Sequence, residues 1–199
     1  MRKLPNPAVG TNFLDAFKTM VGRIGDSIKE SGNRKLALPV RMYVAGGVAA
    51  HFYTAQRMTD DVDATFSHRM LLPEDLEISY RDADGKARLL YFDRQYNDTF
   101  GLLHEDAYKD SIPLKLDGID PKVVEVRLLS PVDLAVSKLA RFAEHDQEDI
   151  RALAAEGLLN SKDLKKRAEE ALRHYIGNPG PIKTSMTLAC RIIGRNQPR

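Results

Sequence analysis

The sequence predicts an α+β fold, a mixed sheet flanked by helices with a helical C-terminal part. Three observations predict it. Apolar residues recur at helical spacing between Asn12 and Lys29. Short runs rich in β-branched and aromatic residues follow between Val40 and Leu129. The remainder carries helical spacing and cap signals. On this reading residues 1–130 form an α+β core, and residues 131–199 form a helical region packed on it.

The elements follow in order. Phe13, Leu14, Phe17, Met20, Val21, Ile24 and Ile28 define one helical face, with Thr11 or Asn12 as its cap and Ser31-Gly32-Asn33 as its stop. Val40 to Ala45 reads as a strand that runs into Gly46-Gly47, and Val48, Ala49, Phe52 and Tyr53 open a second helix. Asp61 to Phe66 reads as one further strand. Leu76–Arg81 and Ala87–Phe92 are β-rich runs joined by a short linker containing Gly85, a hairpin signal. Ile112–Leu116 and Val123–Leu129 complete the strands. Ser130 caps a helix with Pro131 at its first position, running through LAVSKLARFAEH. Another helix covers Gln147 to Ala155, and a last amphipathic one covers Ser161 to Tyr175. Gly177-Asn178-Pro179-Gly180-Pro181 ends it, leaving a basic tail.

Composition narrows the class. The chain has 199 residues, 43% of them hydrophobic, enough for a true core. No apolar run is long enough to span a membrane, and the start MRKLPNPAVG lacks a signal peptide's apolar stretch, so the expectation is a cytoplasmic protein with no membrane partner. A single cysteine, Cys190, excludes an internal disulfide and a cysteine-rich zinc site. No G-x-x-x-x-G-K-[ST] run is present, which excludes a P-loop. The net charge of +2 conceals an acidic middle. Residues 42–159 carry 22 acidic against 13 basic side chains, while both ends are basic. Cations in those ends, Lys165, Lys166 and Arg167 among them, are expected to face an anionic acceptor.

The chemistry concentrates between Tyr43 and Phe66, YVAGGVAAHFYTAQRMTDDVDATF. On one continuous strand Asp61 and Asp63 share a face, and Asp60 points to the other. Two carboxylates so close repel unless a cation lies between them, and an all-oxygen pair suits Mg²⁺ (or Mn²⁺). Upstream, Gly46-Gly47 passes from strand to helix, where bare α-carbons and free N–H groups let backbone approach a phosphate. A phosphate cradle with a metal-binding acid pair is the equipment of phosphoryl or nucleotidyl transfer.

A second stretch, SPVDLAVSKLARFAEHDQEDI, has its own logic. On one continuous helix Lys138, Arg141, His145 and Asp149 fall on a single face. Lys138 would then reach a triphosphate, with Asp149 or Asp146 holding it in place.

Ala45-Gly46-Gly47 followed by Asp61-Val62-Asp63 resembles the signature of the DNA polymerase β-type nucleotidyltransferase superfamily. The lead-in Arg57-Met58-Thr59 resembles the Arg-x-Thr of its bacterial abortive-infection (AbiEii-like and MenT-like) branch, which includes toxins of toxin–antitoxin systems. Ser130 to Ile150 resembles that branch's second signature. The resemblance implies a metal-dependent enzyme moving a nucleoside monophosphate from a nucleoside triphosphate to an acceptor hydroxyl. The acceptor it implies is RNA, such as a tRNA 3′ end, and a cognate toxin or antitoxin is an implied protein partner. The catalytic residues it implies are Asp61, Asp63, Lys138 and Asp149. Gly46, Gly47, Arg57, Thr59, Lys138 and Arg141 would bind nucleotide. Metal ligands would be Asp61 and Asp63, with a third carboxylate at Asp93 or, second, Glu125. The rivals are an enzyme that adds AMP to a protein and a non-catalytic binding module of the same fold.

Overall fold

The structure is a computed structural model that describes residues 11–30, 36–56, 58–97 and 101–197. The described residues form two compact units. The first holds those between 5 and 96 together with 112–128, and the second holds 97, 101–111 and 129–197.

In the first unit, α1 (Thr11–Lys29) buries the face its spacing predicts, with Phe17, Met20, Val21 and Ile24 wholly inside. The expected stop at Ser31-Gly32-Asn33 lies outside the described residues. β1 (Val40–Val44) leads directly into α2 (Gly46–Thr54), and edge-to-face rings join α1 to α2, Phe17 to Phe52 at 5.3 Å and Phe13 to Phe52 at 6.1 Å.

Two sheets follow. One has the order β3 (Ala64–Phe66), β1, β7 (Val124–Leu128), β6 (Ile112–Pro113). Its centre, β1 with β7, is parallel, and both outer pairs are antiparallel. The other sheet has the order β2 (Asp61–Val62), β5 (Ala87–Phe92), β4 (Glu77–Arg81). β4 and β5 are the predicted hairpin, whose turn is held by Asp82 Oδ1 accepting from the N–H groups of Asp84 and Lys86.

The expected single strand from Asp61 to Phe66 is two strands in two sheets. β2 pairs parallel with β5 and β3 pairs antiparallel with β1, so the chain changes sheet at Asp63. Backbone bonds fix that step: Ala45 N–H donates to the Asp63 carbonyl at 2.8 Å, and Asp93 N–H donates to that of Val62 at 3.1 Å. The expected strand Ile112–Leu116 shortens to Ile112–Pro113, with one further bond from the Leu114 N–H to the Val126 carbonyl at 2.9 Å.

The second unit is helical. In α3 (Pro131–Ser137) the N–H of Asp133 donates to Ser130 Oγ at 3.2 Å, as the cap signal predicts. The helix does not run on through His145. It stops at Ser137, Phe142 turns the chain at φ 51°, and α4 (Glu144–Ala155) starts afresh. α5 (Ser161–Leu172) is capped by Asn160, whose Oδ1 accepts from Asp163 N–H at 2.9 Å.

The basic tail is a helix, α6 (Pro179–Asn196), packed on α4 and α5. Asn178 caps it by accepting from Gly180 N–H at 2.9 Å, and Ile182, Met186, Ala189 and Ile193 form its buried stripe. The Asn-Pro-Gly-Pro run that reads as a breaker is its first turn, where proline lacks only an N–H that would be unbonded anyway. Among the described residues no helix is long and apolar enough to cross a membrane.

Candidate active site

Gly46 stands at the junction of β1 and α2 with φ +57°, a conformation L side chains rarely adopt. A β-carbon there would collide with the Asp63 carboxylate, reaching its Cγ at 2.7 Å. At Gly47 a β-carbon would come within 2.8 Å of Thr59 Oγ1 and 2.9 Å of its Cβ. Thr59 is buried, and its hydroxyl donates a short hydrogen bond to Asp61 Oδ1. The two glycines and the two acids are therefore one interlocked piece. Each bare α-carbon makes room for a residue of the acidic segment, Asp63 against Gly46 and Thr59 against Gly47.

Both Asp61 and Asp63 are partly exposed. Arg57 lies outside the described residues. Thr59, which the resemblance makes a nucleotide contact, uses its hydroxyl to orient Asp61.

Asp93 follows β5 directly and accepts from Gln95 N–H at 2.8 Å. Its N–H donates to the carbonyl of Val62, whose strand partner is Phe92, the residue before Asp93. Tyr91 is the strand partner of Asp61. The Asp61 carboxylate raises the pKa of its phenol above the ordinary value, with burial, Asp93, Asp60 and Asp63 adding to the effect. Sequence reasoning missed Tyr91; its place two residues before Asp93 on an alternating strand was the available signal.

Glu125 stands elsewhere, accepting from Arg127 at 2.6 Å and Arg41 at 3.3 Å. Among the described residues no group of three or more His, Cys, Asp or Glu side chains converges to hold a metal. Asp61 and Asp63 offer hard oxygen donors of the kind that Mg²⁺ takes, one or two protein carboxylates with water and phosphate completing the shell.

In the second unit the helix breaks between α3 and α4, and the turn brings Lys138 and Arg141 onto Asp146 and Asp149. Lys138, 5% exposed, places Nζ 2.6 Å from Asp149 and 3.5 Å from Asp146. Arg141 forms a two-pronged pair with Asp146, both bonds 2.8 Å, and His145 Nε2 lies 3.6 Å from the same carboxylate. Burial alone would raise the pKa of Asp146. The Arg141 bonds, the charge of Lys138 and the N–H of Ala143 outweigh it and hold the carboxyl below its ordinary value.

Arg167 is corrected: it does not face outward with Lys165 and Lys166. Its guanidinium meets buried Asp133 at 2.7 Å and Asp110 at 2.8 Å.

Neither a curated protein sequence nor a solved structure matches the chain. One family model, described as a nucleotidyltransferase of unknown function (DUF6036), matches residues 27–180. That span includes the glycine pair, Asp61, Asp63, Asp93 and the Lys138–Asp149 pair. With a mixed α+β fold and a family model covering most of its length, the chain belongs to this nucleotidyltransferase family, DUF6036.

Proposed function

We propose that the protein is a metal-dependent nucleotidyltransferase that moves a nucleoside monophosphate from a triphosphate to a hydroxyl of RNA. The observation that carries the reading is the interlock of Gly46 with Asp63 and of Gly47 with Thr59 and Asp61. A merely tight turn needs no acid against its glycine, whereas transfer chemistry needs a phosphate-approachable backbone and carboxylates at one place.

In this reading the N–H groups of the α2 N-terminus receive the triphosphate, beside the Asp63 and Thr59 side chains that fill the space over the two α-carbons. Asp61 and Asp63 would hold Mg²⁺ or Mn²⁺, which supplies charge neutralisation when bound; Asp93, first choice for a third ligand, does not join them in a three-carboxylate group. The acceptor oxygen bonds to the α-phosphorus, the bond from that phosphorus to the pyrophosphate oxygen breaks, and the hydroxyl proton passes to Asp93 or water. Thr59 orients Asp61. In the second unit Lys138 is held by Asp149 and Asp146, and Arg141 by Asp146, so the reading rests on the glycines and acids of the first unit. A toxin or antitoxin role in phage defence is the finer part of the proposal, supported by the Arg57-Met58-Thr59 lead-in.

The test is incubation with each labelled triphosphate, total RNA and lysate protein. Label is expected in RNA with the wild type and lost, by a factor on the order of 100 or more, with D61N/D63N. Equal incorporation by the double variant would sink the reading, and label in protein instead of RNA would replace it with protein AMPylation. One observation favours a second reading, a nucleotide-binding module without turnover: among the described residues no third acidic or metal-binding side chain joins the pair. Calorimetric nucleotide binding without label transfer would select it.

A further inference from the structure

We infer that Tyr91, with Leu89, forms the shelf on which the base of the RNA acceptor stacks beside Asp61. The inference rests on the transferase reading and adds to it where the acceptor binds. β5 is the middle strand of its sheet, and its side chains alternate between buried and outward positions. Leu90 and Phe92 face inward, while Leu89 and Tyr91 face outward, 41% and 39% exposed. Strand pairing sets Asp61 beside Tyr91 on one side and Glu77 on the other, with Ser79 beside Leu89. The outward face thus carries a ring and an aliphatic side chain in line with the proposed catalytic acid.

Its chemistry selects the occupant. Asp61, Glu77 and nearby Asp60 and Asp93 disfavour phosphate on this face, so a phosphodiester backbone does not lie along it. A neutral planar base has no such cost and gains from an aromatic platform. In the proposed reaction the triphosphate takes the α2 N-terminus and not the β5 face. A base stacked on Tyr91 brings its own ribose, and so an acceptor hydroxyl, to the acid pair. Tyr91 is then a substrate-positioning residue, its ring the part that matters.

The experiment is steady-state label transfer by the full chain to total tRNA, varying tRNA and triphosphate separately, for wild type, Y91A and Y91F, with thermal unfolding as the folding control. Y91A is expected to raise the acceptor KM about tenfold, with kcat and the triphosphate KM changed far less. Y91F, which keeps the ring, restores most of the loss. An active wild type with an unchanged acceptor KM in Y91A overturns the shelf and leaves the transferase reading standing. A rise confined to the triphosphate KM, or no rescue by Y91F, also overturns it. No transfer by the wild type to any RNA overturns both.

Discussion

Two acidic segments of this protein are built by opposite means. At Asp61 and Asp63 the carboxylates are partly exposed, shaped by missing β-carbons, and Asp61 is met by the neutral Thr59 hydroxyl. At Asp146 and Asp149 the carboxylates are almost wholly buried, and Lys138 and Arg141 meet them with full charges. The second arrangement neutralises its own acids. The first leaves its carboxylates partly exposed, and in the proposed mechanism they hold a cation. Acidic residues alone therefore do not mark a site; burial and full-charge partners set Asp146 and Asp149 apart from the partly exposed Asp61 and Asp63.

The comparison breaks most readily at Lys138. K138A leaves two buried carboxylates short of a cation and is expected to cost about 3–5 kcal/mol, read by chemical denaturation. In contrast, D61N/D63N, which abolishes transfer in the proposed mechanism, is expected to change stability by less than about 0.5 kcal/mol or to raise it slightly. Similar losses in both variants would show that both acid pairs serve the fold. Next in size is G46A. Its β-carbon meets the Asp63 carboxylate at an unfavourable φ, so a loss of about 2 kcal/mol is expected together with near-complete loss of transfer. Full transfer by G46A would mean that Asp63 can move without consequence.

The sequence made much of this legible. The periodicity of α1, the β4–β5 hairpin, the Ser130 cap and the α+β order all follow from local rules that the structure obeys. The misses have physical causes. Asp61 to Phe66 alternates like one strand, and nothing local reveals that its halves pair with β5 and β1; pairing is a long-range choice. The helix through Lys138 has good spacing, but Phe142 adopts positive φ to bring Lys138 back onto Asp149. α6 was hidden by its own cap, since proline and glycine mark helix starts as well as ends. The pairing of Gly46 with Asp63 and Gly47 with Thr59 was unreadable, because the spacing gives two separate motifs and only the fold makes them touch.

The smallest expected effect is the acid limb of stability that Asp146 sets. Its folded pKa lies below the ordinary 3.8, so the native state holds the carboxylate ionised more strongly than the unfolded chain does. The sign follows: this contribution is complete above about pH 4 and is lost as pH falls below that value through the folded pKa. Arg141 is the exposed half of the pair, 66% accessible, whereas Asp146 is 1% accessible. R141A removes the two guanidinium bonds but leaves Lys138 and the Ala143 N–H, so the folded pKa should rise toward 3.8 without reaching a fully uncompensated state. Stability above pH 5 is then expected to fall by about 1 kcal/mol, with a flatter decline between pH 4 and pH 2.5 than in the wild type. Denaturation midpoints at fixed salt across that range measure it. Parallel curves for the two proteins would mean that water already does the work of Arg141, leaving Lys138 as the cation on which the buried acids depend.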